Sequence, residues 1–378
     1  MPSFLHRENQ QKKMSDVPLN YQHKIKNMRI LQLLFAILLC TTISCSAQSS
    51  KYKSVDANQF EQVVANDAVV CIDVRTAGEY ATGHLSKAIN IDVQKEDFER
   101  QVLATVPTGK SVAVYCRSGK RSKKAADILA AKGYTVTELN TGINGWNAAG
   151  KATAKDAVDL FFTPKGTAIY FYCLKHGSLR FQVGDQWVYV DPVTTAVPPV
   201  TDYSNMPKAD FILITHNHFD HLDTVAIQQL MQESTKIYSN TQSGNTLKSS
   251  IALKNGSKKT LANGWVLEAV PAYNNSADKK QFHPKGRDNG YILTVDGFRI
   301  YIAGDTEDIP EMKSVKNIDV AFLPCNLPFT MTPEQLAKAA KLFNPKVLFP
   351  YHYGETDIQQ VVNLLKDTKI DVRIRQYQ

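Results

Sequence analysis

Residues 216 to 221 read His216-Asn217-His218-Phe219-Asp220-His221. Three of the chain's nine histidines fall in this short window, too dense a grouping for a merely solvated loop. The apolar run from Ala209 to Ile214 predicts a strand, and Thr215 leads from it into the cluster. In a loop just past a strand, His216 and His218 can turn into one pocket and share a cation. Asp220 and His221 then face a second position a few ångströms away. Imidazole and carboxylate donors suit Zn²⁺, Fe²⁺ or Mn²⁺. A metal-dependent enzyme is the first expectation.

More donors follow downstream. Phe298 to Ala303 reads as a buried strand ending in Gly304-Asp305-Thr306, where Asp305 could bridge two cations. Val347 to Tyr351 reads as another strand and delivers His352. Ligands at the carboxyl ends of strands are what a layered α/β active site presents. Lys285 and Arg287, beside His283, are candidates to meet an anionic substrate, although a solvated charged loop would look the same. The stretch from Thr241 to Lys259 is polar and is expected on the surface.

A different chemistry is written near the start. Strands are predicted over Val69–Val74 and Ser111–Tyr115. The second runs directly into Cys116-Arg117-Ser118-Gly119-Lys120-Arg121-Ser122, and a helix with an Ala125, Ala126, Leu129 and Ala130 stripe is expected from about Ser122 to Lys132. Strand, tight loop and helix form an anion site, because loop N–H groups and the helix N-terminus point to one place. A thiol there loses its proton readily, aided by the cations of Arg117, Lys120 and Arg121, and the thiolate is the nucleophile. Cys71, Cys173 and Cys325 lie in apolar runs and read as buried core residues. The four cysteines beyond the leader lack the paired spacing of a zinc site or a disulfide framework.

This first segment resembles a single-domain rhodanese. The matching pieces, in family order, are Asp73-Val74-Arg75 with Glu79-Tyr80, then Gly83-His84-Leu85, Ala88-Ile89-Asn90, the Cys116 to Ser122 loop, and Gly142-Ile143-Asn144-Gly145-Trp146. The resemblance implies that Cys116 carries a persulfide sulfur, taken from thiosulfate or a persulfide and passed to a thiol or cyanide. Arg121 lies five positions after Cys116, whereas related phosphatases leave six, and the tighter loop favours sulfur chemistry. Asp73, Arg75 and Glu79 are expected to brace the loop, and His84 to be structural, capping a turn.

The rest of the chain resembles the metallo-β-lactamase superfamily. The match rests on Tyr189-Val190-Asp191-Pro192, the Thr215 to His221 motif, Gly304-Asp305-Thr306 and His352. Within it, His176-Gly177-Ser178, Pro271-Ala272-Tyr273-Asn274 and Phe282-His283-Pro284-Lys285-Gly286 point to the ascorbate-6-phosphate-lactonase-like branch of metal-dependent hydrolases. The resemblance implies an αββα sandwich with two divalent metal ions. One would be held by His216, His218 and a third histidine, the other by Asp220, His221 and His352, with Asp305 bridging. Asp220 would also orient the attacking water as a catalytic residue. The third histidine usually follows a strand like Val266 to Val270, but that place here reads Ala272-Tyr273-Asn274. His283 is the one candidate between His221 and His352, and without it a single-metal enzyme becomes plausible. His176 is expected to be structural or to lie behind the ligands.

The whole chain therefore reads as α/β. A leader over 1–47 precedes a rhodanese-type parallel-sheet domain over 52–150, a linker over 151–162, and the αββα domain over 163–378. Its 378 residues, 43% apolar and 21% charged, are enough for two globular domains. The leader has Lys24, Lys26 and Arg29 ahead of the apolar run from Ile30 to Ile43, then small residues, which is the layout of an export signal. Translation starting at Met28 would give it an ordinary length. Thr42-Ile43-Ser44-Cys45 resembles a lipobox with Cys45 acylated, while cleavage after Cys45-Ser46-Ala47 is the alternative. Either places the mature protein in the periplasm or cell envelope, touching a membrane only through that lipid. The leader supplies half of the +8 net charge, and no basic stripe with interleaved aromatics remains for nucleic acid. The expected function is hydrolysis with two Zn²⁺ or Mn²⁺, joined to sulfur transfer from a sulfane-sulfur donor to a thiol acceptor. The alternative is a persulfide dioxygenase with a single Fe²⁺.

Overall fold

A computed structural model describes residues 51–375 of the chain. The expected leader, with its lipobox and Cys45, lies outside the described residues. Among the described residues no helix is long and apolar enough to cross a membrane.

The first domain runs β1 (Lys53–Val55), α1 (Ala57–Val64), β2 (Val69–Asp73), α2 (Ala77–Ala81), β3 (Ile89–Asn90), α3 (Phe98–Thr105), β4 (Ser111–Tyr115), α4 (Lys120–Ala131), β5 (Thr135–Leu139) and α5 (Gly142–Ala148). Its five strands form a parallel sheet in the order β1-β5-β4-β2-β3. Parallel strands are covered on both faces, which explains the unbroken apolar runs Val69-Val70-Cys71-Ile72 and Val112-Ala113-Val114-Tyr115. Neighbours divide between the faces: Val70, Ile72, Val112 and Val114 join one apolar cluster, Cys71, Ala113 and Tyr115 another. Helix α2 begins with a capping box in which Thr76 and Glu79 satisfy each other's backbone N–H groups.

The second domain holds β6 (Val158–Phe162), β7 (Ala168–Lys175), β8 (Ser178–Val183), β9 (Gln186–Val190), β10 (Phe211–Ile214), α6 (Thr224–Leu230), β11 (Lys236–Asn240), α7 (Thr241–Thr246) and β12 (Ile251–Leu253). There follow β13 (Lys258–Thr260), β14 (Val266–Ala272), β15 (Asp288–Val295), β16 (Phe298–Ile302), β17 (Val320–Pro324), α8 (Pro333–Phe343), β18 (Val347–Tyr351), α9 (Gln359–Leu365) and β19 (Asp371–Val372). Two seven-stranded sheets result, β12 to β6 and β13 to β19. Their facing sides close one large apolar core, including Ile169, Phe171, Phe181, Leu213, Leu293, Phe322 and Phe349. Leu336, Ala340 and Val361 of α8 and α9 pack on the second sheet, and Ala226, Ile227 and Leu230 of α6 on the first. This is the expected αββα sandwich.

Two expectations need correction. The segment 151–162 is not all linker: Val158–Phe162 pairs antiparallel with β7 and forms the edge of the first sheet. The polar stretch from Thr241 to Lys259 is not simply surface, since it supplies α7, β12 and the start of β13 and buries Ser243, Leu247 and Leu253.

Strand β7 also explains how the domains join. Ile169, Phe171 and Cys173 point into the sandwich, while Tyr170 and Tyr172 share an apolar cluster with Val70, Ile72, Val114 and Leu129 of the first domain. A strand covered on both faces buries successive residues on opposite sides, hence its aromatic density. The chain between the domains is pinned by a bridge between His84 and Ala154. His84 is buried, stacks on Tyr80 at 3.7 Å between ring centroids, and places its ring nitrogens against the carbonyls of Tyr80 and Asp156. It is structural, as expected, but it secures the connection between the domains.

Asp159 on β6 is buried and receives Arg375 at 2.6 and 2.7 Å and Arg373 at 2.9 Å. Burial alone would raise its carboxyl, but the two guanidinium groups outweigh that and hold it below the usual range. A depressed folded value means the contribution is full above the unfolded carboxylate pKa and is lost as pH falls through the folded one. Asp159→Ala leaves two arginines facing an apolar gap and is expected to cost about 3 kcal/mol in urea unfolding. Arg373→Ala, which leaves Arg375 in place, is expected to cost less.

Candidate functional site

The metal motif follows β10, where Asn217, His218 and Asp220 emerge half-buried while His216 and His221 are buried. Asp191, past the end of β9, organises this turn. Its carboxylate accepts the N–H and hydroxyl of Thr215 and holds Nδ1 of His221 at 2.8 Å. That contact leaves Nε2 of His221 turned into the cluster.

Two groups of donors converge. In one, His216, His218 and His283 bring their ring nitrogens within 4.8 Å of one another. In the other, ring nitrogens of His176, His221 and His352 and a carboxylate oxygen of Asp220 come equally close. Asp305, past β16, lies between them. Its Oδ2 is 3.4 Å from Nε2 of His283 and 4.0 Å from Nε2 of His216. Its Oδ1 is 3.6 Å from Nε2 of His221 and 3.5 Å from Nε2 of His352. Nε2 of His352 sits 3.0 Å from Nε2 of His221. Nε2 of His216 and Oδ1 of Asp305 are buried without a hydrogen-bond partner. Orphaned buried polar atoms carry a cost of about 1–3 kcal/mol each, which a cation would remove. The donor set fits divalent metal.

Burial holds the His216 imidazole well below its ordinary value and lowers His218 as well, so both are neutral and able to ligate. Burial would also lower His221, but the carboxylates of Asp305, Asp220 and Asp191 outweigh it and raise the value. Asp305 is pushed up by burial and drawn well below the carboxylate range by the surrounding imidazoles, His352 and His221 first.

His283 arrives by an unusual route. Asn274 stands at the strand end where a third histidine is customary, and its N–H donates to the carbonyl of His283 at 2.9 Å. Its side-chain amide donates to the carbonyls of Lys279 and Phe329. Asn274 thus ties down the loop that carries His283 back to the cluster, while Asp288 fixes Nδ1 of His283 at 3.2 Å. Among the charged neighbours, Lys285 is committed to Glu311 and Tyr273 and is not positioned for substrate. Arg287 does face the site, with Nη2 3.3 Å from Nε2 of His218 and Asp288 paired to its guanidinium.

His176 is closer to the centre than its isolated position in the sequence suggests. Nε2 is 3.0 Å from Asp220, and its ring lies 3.6 Å from that of His352. The neighbouring Gly177 has a steric reason: a Cβ there would come within 2.8 Å of His221 and 3.3 Å of His352. His176, Asp191 and His352 all have φ between 42° and 49°, a left-handed conformation that costs about 1–3 kcal/mol for such residues. Strain gathered at three donors or donor supports marks a site whose packing imposes the geometry.

The Cys116 loop is built as the sequence implied, with one correction. Cys116 is buried, while Arg117, Ser118 and Lys120 are exposed. Arg121 does not lean on the sulfur, because Glu79 engages both its terminal nitrogens at 2.6 and 2.7 Å. Burial alone would raise the Cys116 thiol, but the hydroxyl and N–H of Ser122 and the N–H groups of Ser118 and Arg121 bring it below its ordinary value. Backbone dipoles, more than side-chain cations, make the anion site. Gly119 has φ 91°, and a Cβ there would strike the carbonyl of Asn140 at 2.1 Å, so no other residue closes the loop this tightly. Helix α5 clamps it from outside, with N–H groups of Ile143 and Asn144 on the carbonyls of Cys116 and Arg117. Asp73 holds Arg75 through a buried pair. A recess of about 330 Å³, lined by Arg75, Glu79, Arg117, Asn144 and Asn147 among others, opens beside the loop.

Comparison with known proteins matches this division. Residues 56–149 match the rhodanese-like domain, and residues 170–352 match the beta-lactamase superfamily domain. A UPF0173 metal-dependent hydrolase of Thermococcus onnurineus is 33% identical over 46% of this chain and 79% of its own. The chain belongs to this family of metal-dependent hydrolases. A relative from Geobacillus thermodenitrificans is 33% identical over 50% of this chain and 90% of its own. A solved structure from Parabacteroides distasonis, described as a metal-dependent hydrolase, is 51% identical, with a TM-score of 0.57, covering 59% of this chain and all of that one. The protein is therefore a metal-dependent hydrolase of the metallo-β-lactamase fold carrying a rhodanese-like domain.

The Asp191 contact gives a direct test. Asp191→Ala frees Nδ1 of His221 and loosens Thr215, and is expected to lower metal affinity about 10- to 100-fold in competition with a chromophoric chelator.

Proposed function

We propose that the second domain is a two-metal hydrolase acting on an ester, lactone, thioester or phosphodiester, and that the first is a sulfurtransferase that forms a persulfide on Cys116. The observation carrying the hydrolase reading is the carboxylate of Asp305, one oxygen toward each group of imidazoles. His216, His218 and His283 would hold one ion, Asp220, His221 and His352 the other, and Zn²⁺ or Mn²⁺ suits this donor set. Divalent cations in such a site supply Lewis acidity and make water nucleophilic near neutral pH. The chain's own groups set the geometry around that chemistry. His176 fixes one oxygen of Asp220, so that the carboxylate is aimed rather than free to rotate. Asp191 and Asp288 fix the rotation of His221 and His283. Arg287 places positive charge at the His218 side, where an anionic substrate would be drawn.

In the first domain the thiolate of Cys116 attacks the outer sulfur of a sulfane-sulfur donor such as thiosulfate. A sulfur–sulfur bond forms on Cys116, the donor's own sulfur–sulfur bond breaks, and sulfite departs with the electron pair. A thiol or cyanide then takes the outer sulfur and returns the thiolate. Lys24, Lys26, Arg29 and the apolar run after them support export to the periplasm or cell envelope, and Cys45 offers a site for a lipid anchor.

The single-iron persulfide dioxygenase is the competing reading, and it would use the persulfide of Cys116 as a feed. Similarity to hydrolases and the presence of two donor groups favour hydrolysis. Metal analysis of the purified protein is expected to give about two zinc or manganese per chain. Chelator is expected to abolish ester or lactone cleavage, and glutathione persulfide to cause no oxygen uptake. One iron per chain with oxygen consumption would replace the hydrolase by the dioxygenase. Cys116→Ser is expected to lose thiosulfate-to-cyanide sulfur transfer entirely, and retention of that activity would remove the sulfurtransferase.

A further inference from the structure

The loop that carries His283 is gripped at its start by a carboxylate that belongs to neither group of donors. Glu307 stands just past Asp305, in the turn that follows β16, and is fully buried. Its Oε2 accepts the N–H groups of Asn275 and Ser276, both at 2.7 Å. Its Oε1 accepts the hydroxyl of Ser276 at 2.7 Å and the side-chain amide of Gln335 at 3.2 Å. Nζ of Lys279 lies 3.4 Å from the same oxygen and donates to the carbonyl of Thr330. Gln335 apart, all these partners of Glu307 are on the loop between Asn274 and His283.

A buried carboxylate needs partners of this kind wherever it stands. The place of this one gives it a further role. The turn from Gly304 to Glu307 directs Asp305 toward the imidazoles and then grips the loop that returns His283 to them. Backbone bonds complete the tie. The N–H of Glu307 donates to the carbonyl of Tyr273 at 3.0 Å, and the N–H of Tyr273 to the hydroxyl of Thr306 at 3.2 Å. Gln335 in turn accepts the N–H of Thr332 at the start of α8, which anchors the grip to a helix. Asn274 and Asp288 hold His283 itself, while Glu307 holds the first turn of the loop behind it.

We propose that Glu307 is the positioning residue for His283, and that it sets the affinity of the metal position formed by His216, His218 and His283. His216 and His218 leave a strand end and are ordered before any ion arrives. His283 is in place only while its loop is closed, and only that fraction of molecules offers three imidazoles together. The apparent dissociation constant rises as the closed fraction falls. Glu307 keeps the loop closed through hydrogen bonds to an ionised acceptor, which are stronger than neutral ones. The position formed by Asp220, His221 and His352 does not draw on this loop. The two positions therefore differ in what they depend on.

This role rests on the two-ion reading of the site, but its test follows metal binding and loop order and needs no turnover. Glu307→Gln keeps the size, yet an amide accepts on one oxygen only and turns an NH₂ group toward other donors. The metal-free full-length protein, titrated with Zn²⁺ against a chromophoric chelator, is expected to take up two ions. Glu307→Gln is expected to weaken one of the two steps about tenfold, as a loop open about nine-tenths of the time would, and to leave the other unchanged. His283→Ala is expected to lose that same step, and Glu307→Gln added to it is expected to change nothing further. The amides of Asn274 and Phe282 are bonded within the loop and not to Glu307. In metal-free Glu307→Gln they are expected to exchange hydrogen at least about tenfold faster, while β14 to β16 keep their protection.

Unchanged affinity, equal weakening of both steps, or a further loss in the His283→Ala background would each overturn the role, the last two because they mark mere support of the fold. Should Glu307→Gln fail to fold, Ser276→Ala removes one contact with the carboxylate and is expected to speed exchange of the Phe282 amide about fivefold. An unchanged rate there would reject the grip. Uptake of a single ion by the unaltered protein would remove the two-ion reading. Exchange at Asn274 and Phe282 in Glu307→Gln would then decide the grip by itself, faster exchange supporting it and an unchanged rate rejecting it.

Discussion

Asp305 is the buried charge around which the second domain is organised. A carboxylate with no N–H donor on Oδ1, facing imidazoles on both sides, is tolerable only where positive charge is to be bound. The groups nearby keep the donors from rotating. Asp191 and Asp288 take the outer nitrogens of His221 and His283, so each ring presents its other nitrogen inward. Gly177 lets the turn before β8 lie directly on the rings of His221 and His352. The left-handed residues at 176, 191 and 352 are held in place by the surrounding core. Strain of this kind persists only when packing over-determines it.

The two-sheet sandwich is what makes that possible. His216 to His221 and Asp191 leave the ends of strands in the first sheet, and Asp305 and His352 leave the ends of strands in the second. The apolar core between the sheets fixes the two strand ends against each other, so donors more than 130 residues apart in the chain meet to within a few ångströms. A loop carrying all the ligands would have to order itself on binding, while strand ends are ordered already. The one donor that comes from a loop, His283, is the exception that needs its own scaffold. Asn274 and Asp288 supply it from the ends of β14 and β15.

What could be read from the sequence, and what could not, follows from the range of the interactions. The His216 to His221 cluster is legible because four donors leave one turn, and the Cys116 loop because a strand, a glycine and a helix start are contiguous. His283 is legible by elimination, although its two supports are not. His176 gives no spacing signal, since its partners Asp220 and His352 lie far along the chain. Val158-Asp159-Leu160-Phe161-Phe162 falls within the expected linker, and a charge interrupts its apolar run. The arginines that let Asp159 be buried are over two hundred residues away. Glu138 hides for a similar reason. It shares its strand face with buried Val136, and the hydroxyls that meet it, Ser54 and Ser122, come from other elements. The cations of the Cys116 loop misled in the opposite direction: charge near a thiol in sequence suggested electrostatic help, yet Glu79 claims Arg121, and the Ser122 hydroxyl and the backbone do the stabilising.

The two domains solve opposite electrostatic problems with the same structural device. Each ends a buried strand in a tight turn and relies on neighbouring elements to hold that turn. In the first domain the turn exposes N–H dipoles toward an anion on sulfur, and the nearest carboxylate is kept one hydroxyl away. In the second the turns direct carboxylates and imidazoles toward a cation. An anion site and a cation site can share a chain because each is shielded by its own apolar core. The domains meet where Tyr170 and Tyr172 pack with Val70, Ile72 and Val114, in an apolar cluster that also holds Cys116. That contact leaves the first sheet of the sandwich covered on both sides and makes the rhodanese-like domain a structural layer of the hydrolase.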